Sequence, residues 1–90
     1  MNLETTKSLL KKSEIQTRIL ELINECFYQF DVVDARIKDY NNDPHFYPFF
    51  NKENEVKELN RILSIRYYLE RRLDNISFDI YFMIPKSTNN

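Results

Sequence analysis

From Ile19 onward the apolar positions fall at Ile19, Ile23, Cys26, Phe30, Val33, Ile37 and Tyr40, separated alternately by four and three residues. This is a heptad seam held over three heptads, the spacing that keeps one helix face against a partner helix. Leu20, Leu22 and Phe27 flank the seam and widen the stripe to what a globular helix buries. Ser13-Glu14-Ile15-Gln16 reads as a capping box and predicts a helix start just before the apolar run. Asn41-Asn42-Asp43 followed by Pro44 predicts its end, with Asn standing in for a glycine cap and Pro44 forbidding continuation. Residues 13–40 therefore read as a rod of about 42 Å. Residues 4–12 hold Leu9 and Leu10 beside Lys7, Lys11 and Lys12, and either extend the rod or form a separate turn.

A second helix is predicted to start near Asn51, with Glu53 and Glu55 suited to its positive N-terminal end. Its core positions read Val56, Leu59, Ile62, Leu63, Leu69 and Leu73, with Ile65 and Arg66 as a shoulder. Beyond Asn75 two periods compete. Phe78, Ile80, Phe82 and Ile84 alternate with Asp79, Tyr81 and Met83, a strand signature. Leu69, Leu73, Ile76, Ile80 and Met83 continue the helical spacing. A lone strand has no ladder partner in a helical chain, so the helical reading is preferred, continuous or restarted after Asn75, and ending before Pro85. The fold expected is all-α: a long antiparallel helical hairpin with a third C-terminal helical segment. Residues 77–84 as a strand are the minority alternative. One domain spans residues 1–90, with 1–5 and 86–90 expected to fray.

Composition narrows the chemistry chiefly through what is missing. The 90 residues contain no glycine, where average usage gives roughly six. Phosphate-cradling loops, the EF-hand calcium loop and the G-x-S-x-G turn all need that residue, so the commonest enzyme signatures are excluded. One histidine and one cysteine fall short of a zinc ligand set, and no cofactor is implied. Arg36 precedes His45 by nine positions with Pro44 between them, so they do not share a helix face as an Arg/His nuclease pair. Cys26 lies on the seam beside Glu25 and Phe27, where a thiol packs as a small apolar group and lacks the cations that activate it. The lone cysteine fits a reducing compartment. No signal-peptide pattern opens the chain and no apolar run approaches about 20 residues, so a cytoplasmic protein is expected.

Net charge is −1, yet the signs segregate: residues 14–55 carry nine acids and four bases, and residues 56–73 five bases and two acids. Lys57, Arg61, Tyr68, Arg71 and Arg72 form a stripe on the second helix. Cations interleaved with tyrosine can follow a phosphate backbone and stack on bases. The plainer reading is a solvated face attracted to the acidic first helix, since the whole domain has no positive excess.

Two features point instead to protein contacts. Phe46, Tyr47, Phe49 and Phe50 sit between Pro44 and Asn51 and either close the end of the hairpin core or leave rings outside as anchors. Tyr28, Val32 and Ala35 lie opposite the seam and make the first helix apolar nearly all round between Phe27 and Ile37, the pattern of a helix buried all round. Residues 3–10 or 76–84 cover that face, or another chain does. The sequence thus reads as a non-catalytic interaction or regulatory protein, homodimeric or bound to a larger protein partner, with nucleic-acid regulation through the Lys57–Arg72 face as the alternative.

Overall fold

The computed structural model describes residues 2–84; the expected fraying of 86–90 lies outside them. Two helices, α1 (Leu3–Asn42) and α2 (Lys52–Met83), pack antiparallel and are joined by a 3-10 turn at Pro44–Phe46. The molecule measures 68 × 25 × 14 Å with a radius of gyration of 20.3 Å, where a compact 90-residue domain has about 12 Å. Its least dimension is little more than one helix diameter, about 10–12 Å. The hairpin is a single layer.

α1 starts ten residues before the Ser13–Gln16 box. Asn2 caps it, its Oδ1 accepting from the Thr5 backbone N–H at 2.7 Å, so the box residues are interior to a helix already begun. Gln16 turns instead across the seam and donates through Nε2 to Ser77 Oγ at 3.1 Å. The physical reason is continuity of packing. Thr5, Leu9, Lys12 and Gln16 prolong the four-and-three spacing and are partly buried, and the C-terminal half of α2 gives them a surface. At the other end the helix stops at Asn42, and the Asp43 N–H bonds to Asp39 O at 3.0 Å. Asp43 leaves the helix at φ −149° and ψ 80°, outside the helical region, and no described residue has positive φ. The chain thus exits without the left-handed Asn cap expected from the sequence.

α2 begins as predicted: Asn51 Oδ1 accepts from the Asn54 N–H at 3.1 Å, and Glu53 and Glu55 occupy the first turn. The third segment is not separate. Residues 76–83 are the last two turns of α2, and no strand forms among the described residues. The helix ends where Ile84 turns extended, φ −74° and ψ 126°, as steric conflict with a following proline requires.

The core is the predicted seam. Ile19, Ile23, Cys26, Val33 and Ile37 of α1 are buried against Ile62 and Leu69 of α2. Leu22, Phe30, Phe50, Leu59, Leu73 and Ile76 pack around them partly buried. Ile62 is the most enclosed, at 1% exposure. On α2 the full spacing runs Leu59, Ile62, Arg66, Leu69, Leu73, Ile76, Ile80 and Met83, so Arg66 occupies a seam position rather than a shoulder.

Candidate functional site: exposed helix faces and the aromatic loop

Contacts across the seam fix the register and divide the layer into two faces. Residue 12 is level with 79, 16 with 77, 27 with 66 and 36 with 55. The Gln16–Ser77 bond and the Arg66 guanidinium, 4.9 Å from the Phe27 ring centroid, lie along one face, here the first. The Lys12–Asp79 ion pair at 3.6 Å, and an open groove of about 250 Å³, lie along the second. Tyr28, Val32, Val33 and Ile62 line that groove, with Gln29, Arg36 and Glu58 at its margins.

Among the described residues, neither end of the chain folds over the side opposite the seam. Residues 3–10 and 76–83 belong to the ends of α1 and α2, so the intramolecular cover considered from the sequence is not formed. Tyr28 is 66% exposed, Val32 37%, and Ala35 is also exposed. The first face is uncovered too. Leu20 and Phe27, which the stripe width predicts to be buried, are each 46% exposed, and Val56 and Tyr67 lie out as well. A second helix shields only about one side of the first, and among the described residues no further element lies on the 14 Å layer.

The loop divides its four rings. Phe50 is the lid: its ring stacks on Tyr40 with centroids 4.5 Å apart and packs against the core. Backbone bonds from Tyr47 N–H to Pro44 O and from Phe50 N–H to Tyr47 O, each 3.1 Å, hold the turn that places it. Phe46 and Phe49 face solvent, Phe49 at 98% exposure, and Tyr47 is intermediate between them and Phe50. At the far end Phe78 and Phe82 stack at 6.0 Å, with Tyr81 edge-on to Phe82 at 5.4 Å. Reading 76–84 for core positions alone misses this cluster. Its signal is the i, i+3, i+4 spacing of three rings off the heptad.

The basic stripe is half neutralised. Lys57 pairs with Glu53 at 3.6 Å, and Arg61 donates to Glu58, Nε to Oε2 at 2.9 Å. That hydrogen bond holds the Glu58 carboxyl below the usual carboxylate range, helped by the charges of Arg61 and Arg36 and opposed by desolvation. Arg71 and Arg72 rest on Tyr67 and Tyr68 through cation–π contacts at 5.9 Å. Lys38 is raised by its hydrogen bond and charge pairing with Asp34. Cys26 is buried and unpaired by disulfide. Among the described residues no cluster of three His, Cys, Asp or Glu side chains is placed to hold a metal ion, and no helix is long and apolar enough to cross a membrane. Compared with known protein families, with curated proteins and with solved structures, the chain matches none of them.

Proposed function

We propose that this chain is a non-catalytic intracellular interaction protein that acts by presenting helix surface to another protein. The observation that carries the reading is the single-layer hairpin, 14 Å thick, with Leu20, Phe27, Tyr28 and Val32 left to solvent on α1. Apolar side chains thus stand in solvent on both faces, and large rigid rings are the usual anchors of interfaces. Tyr28, Val32 and Ala35, with Phe46, Tyr47 and Phe49 at the loop, are the contact residues on this reading; Phe50 acts by holding the loop. Helix docking and bundle formation are the modes such a surface serves.

The test is site-specific photo-crosslinking in the native cells, with the reactive side chain placed at Tyr28, Val32, Phe46 or Phe49. Discrete protein adducts at these positions, absent from a control at exposed Lys52, are expected. Adducts no stronger than the control at all four positions would sink the reading. A second reading, nucleic-acid contact through the α2 stripe, is favoured by one observation: Arg71 and Arg72 pair with tyrosines and with no carboxylate among the described residues. Binding of single-stranded nucleic acid that falls steeply with added salt is its mark.

A further inference from the structure

We infer that the first face is the dimer face: two copies stack there into a four-helix bundle, each α1 lying against the partner's α2 with both loops at the same end. The inference rests on the interaction reading above in its mode, helix surface presented to protein, and gives the first face a second copy while leaving Tyr28 and Val32 to the other partner. The first argument is area. The chain exposes 7238 Å², whereas a compact monomer of 11.0 kDa exposes about 5,600 Å², a surplus of about 1,600 Å². Removing that surplus from each copy gives an interface of the obligate class, about 3,000 Å² in total.

The choice of face follows from what each one carries. In the heptad, the row flanking the seam on the first side holds Leu20, Phe27 and Asp34 on α1 and Val56, Leu63 and Glu70 on α2, with Tyr67 one position further out. The corresponding row of the second side holds Ile15, Leu22 and Arg36 on α1 and Glu58, Ile65, Arg72 and Asp79 on α2, twice as many charges for burial to strand. A bundle helix needs its seam plus one flanking row largely apolar, and the first side comes nearer to it. At the centre of this face lies Arg66, whose Nε is buried without a hydrogen-bond partner and 3.5 Å from Glu70.

Orientation follows from charge. With each α1 against the partner's α2 and loops together, residues level within one hairpin meet between copies. Glu21 is level with Arg71, and Lys38 with Glu53, by the register fixed above. Within one hairpin these pairs stand on opposite outer edges. The stack joins them as opposite charges on the rim of an apolar centre, the zoning of a stable interface. Leu10 likewise meets Tyr81.

Sedimentation equilibrium of the full chain decides this, with Leu20→Glu and Val32→Glu as the two face probes and circular dichroism as the folding check. The expected result is a wild-type mass of about twice 11.0 kDa, a helical Leu20→Glu with dimer Kd raised at least about 100-fold, and Val32→Glu still dimeric. Should Leu20→Glu unfold, a charge-swap cycle decides. Glu21→Arg and Arg71→Glu each weaken the dimer about tenfold, counted twice by symmetry, and the double variant recovers most of the loss. Dissociation by Val32→Glu with Leu20→Glu unaffected overturns this face in favour of the other. No recovery in the double variant overturns the orientation. A wild-type monomer at millimolar concentration overturns the second copy, and if the crosslinking above still captures another protein the interaction reading survives it.

Discussion

Arg66 is a cation at a position where the heptad calls for a hydrocarbon, and replacing it with leucine should make the protein more stable. Its side chain is 30% exposed, its Nε is buried without a hydrogen bond, and Glu70 stands at 3.5 Å, too far and too wet to repair that. Relieving a buried unsatisfied donor is worth about 1–3 kcal/mol. The arginine stem already covers apolar surface, so leucine adds only about 0.5 kcal/mol of new burial at ~25 cal/mol per Å². Against this stand the Phe27 cation–π contact, about 0.5–1 kcal/mol at a partly exposed site, and the surface-like ion pair, about 0–1 kcal/mol. The balance favours leucine by about 1 kcal/mol, equivalent to about 4–8 °C in Tm for a domain of this size. Urea denaturation of wild type, Arg66→Leu and Arg66→Ala, all at one protein concentration because association shifts apparent stability, reads it directly. Alanine should lose stability, since it removes the stem as well as the charge. A leucine variant less stable than wild type by more than about 1 kcal/mol, beyond the scale of a neutral change, would show that Arg66 is a net stabiliser and that the reasoning from its orphaned nitrogen is wrong.

Three further outcomes are expected. Ile62→Ala should cost about 2–5 kcal/mol because it empties the most enclosed site of the seam, while Phe49→Ala should leave the melting curve unmoved and weaken any crosslinked complex by more than about 1 kcal/mol; equal melting losses in both would make the loop ring part of the core. Asn51→Ala should cost about 1 kcal/mol through loss of the α2 cap, and amide exchange should quicken at Asn54, whose N–H loses its acceptor. For Glu58, carbon-detected NMR should place the carboxyl titration below that of an unfolded reference peptide. A depressed carboxylate stabilises above its unfolded pKa, and that contribution disappears as pH falls through the folded value. Arg61→Ala should return the titration to the usual range; a Glu58 curve indifferent to Arg61 would remove the hydrogen bond as its cause.

The hairpin was legible because its signal is redundant. Seven seam residues of α1 repeat one period, and Asn51, Glu53 and Pro44 punctuate it independently. The extension of α1 through residues 4–12 stayed one of two readings because Lys12 and Gln16 read as polar, although a long side chain can hold a seam position with its head at the edge. Arg66 escaped for the same reason. The strand-like alternation of 78–84 was overridden by continuity, since α1 offered a helix to pack against and no strand offered a ladder. The surface was harder. Sequence period says which residues share a face, as it does for Leu20 and Phe27, but not whether another layer covers them; that depends on how many helices the chain owns. Two helices leave each with an open side, which is why residues expected in the core stand at the candidate interface.

The register of this hairpin also sets an order of assembly. Tyr40 and Phe50 meet ten residues apart, Arg36 and Glu55 nineteen, Gln16 and Ser77 sixty-one, so every pair farther from the loop closes a longer stretch of chain. Closing the first costs least, and a ten-residue loop forms in about 10–100 ns. Each later pair is nearly free of closure cost once its inner neighbour is in place, so folding runs as a zipper from the aromatic turn toward the open ends. Opening runs the other way. Amide exchange protection should fall from the turn toward Leu3 and Met83 in a gradient rather than a step, and the Gln16–Ser77 bond and the Lys12–Asp79 pair stand on the half of the molecule that separates first.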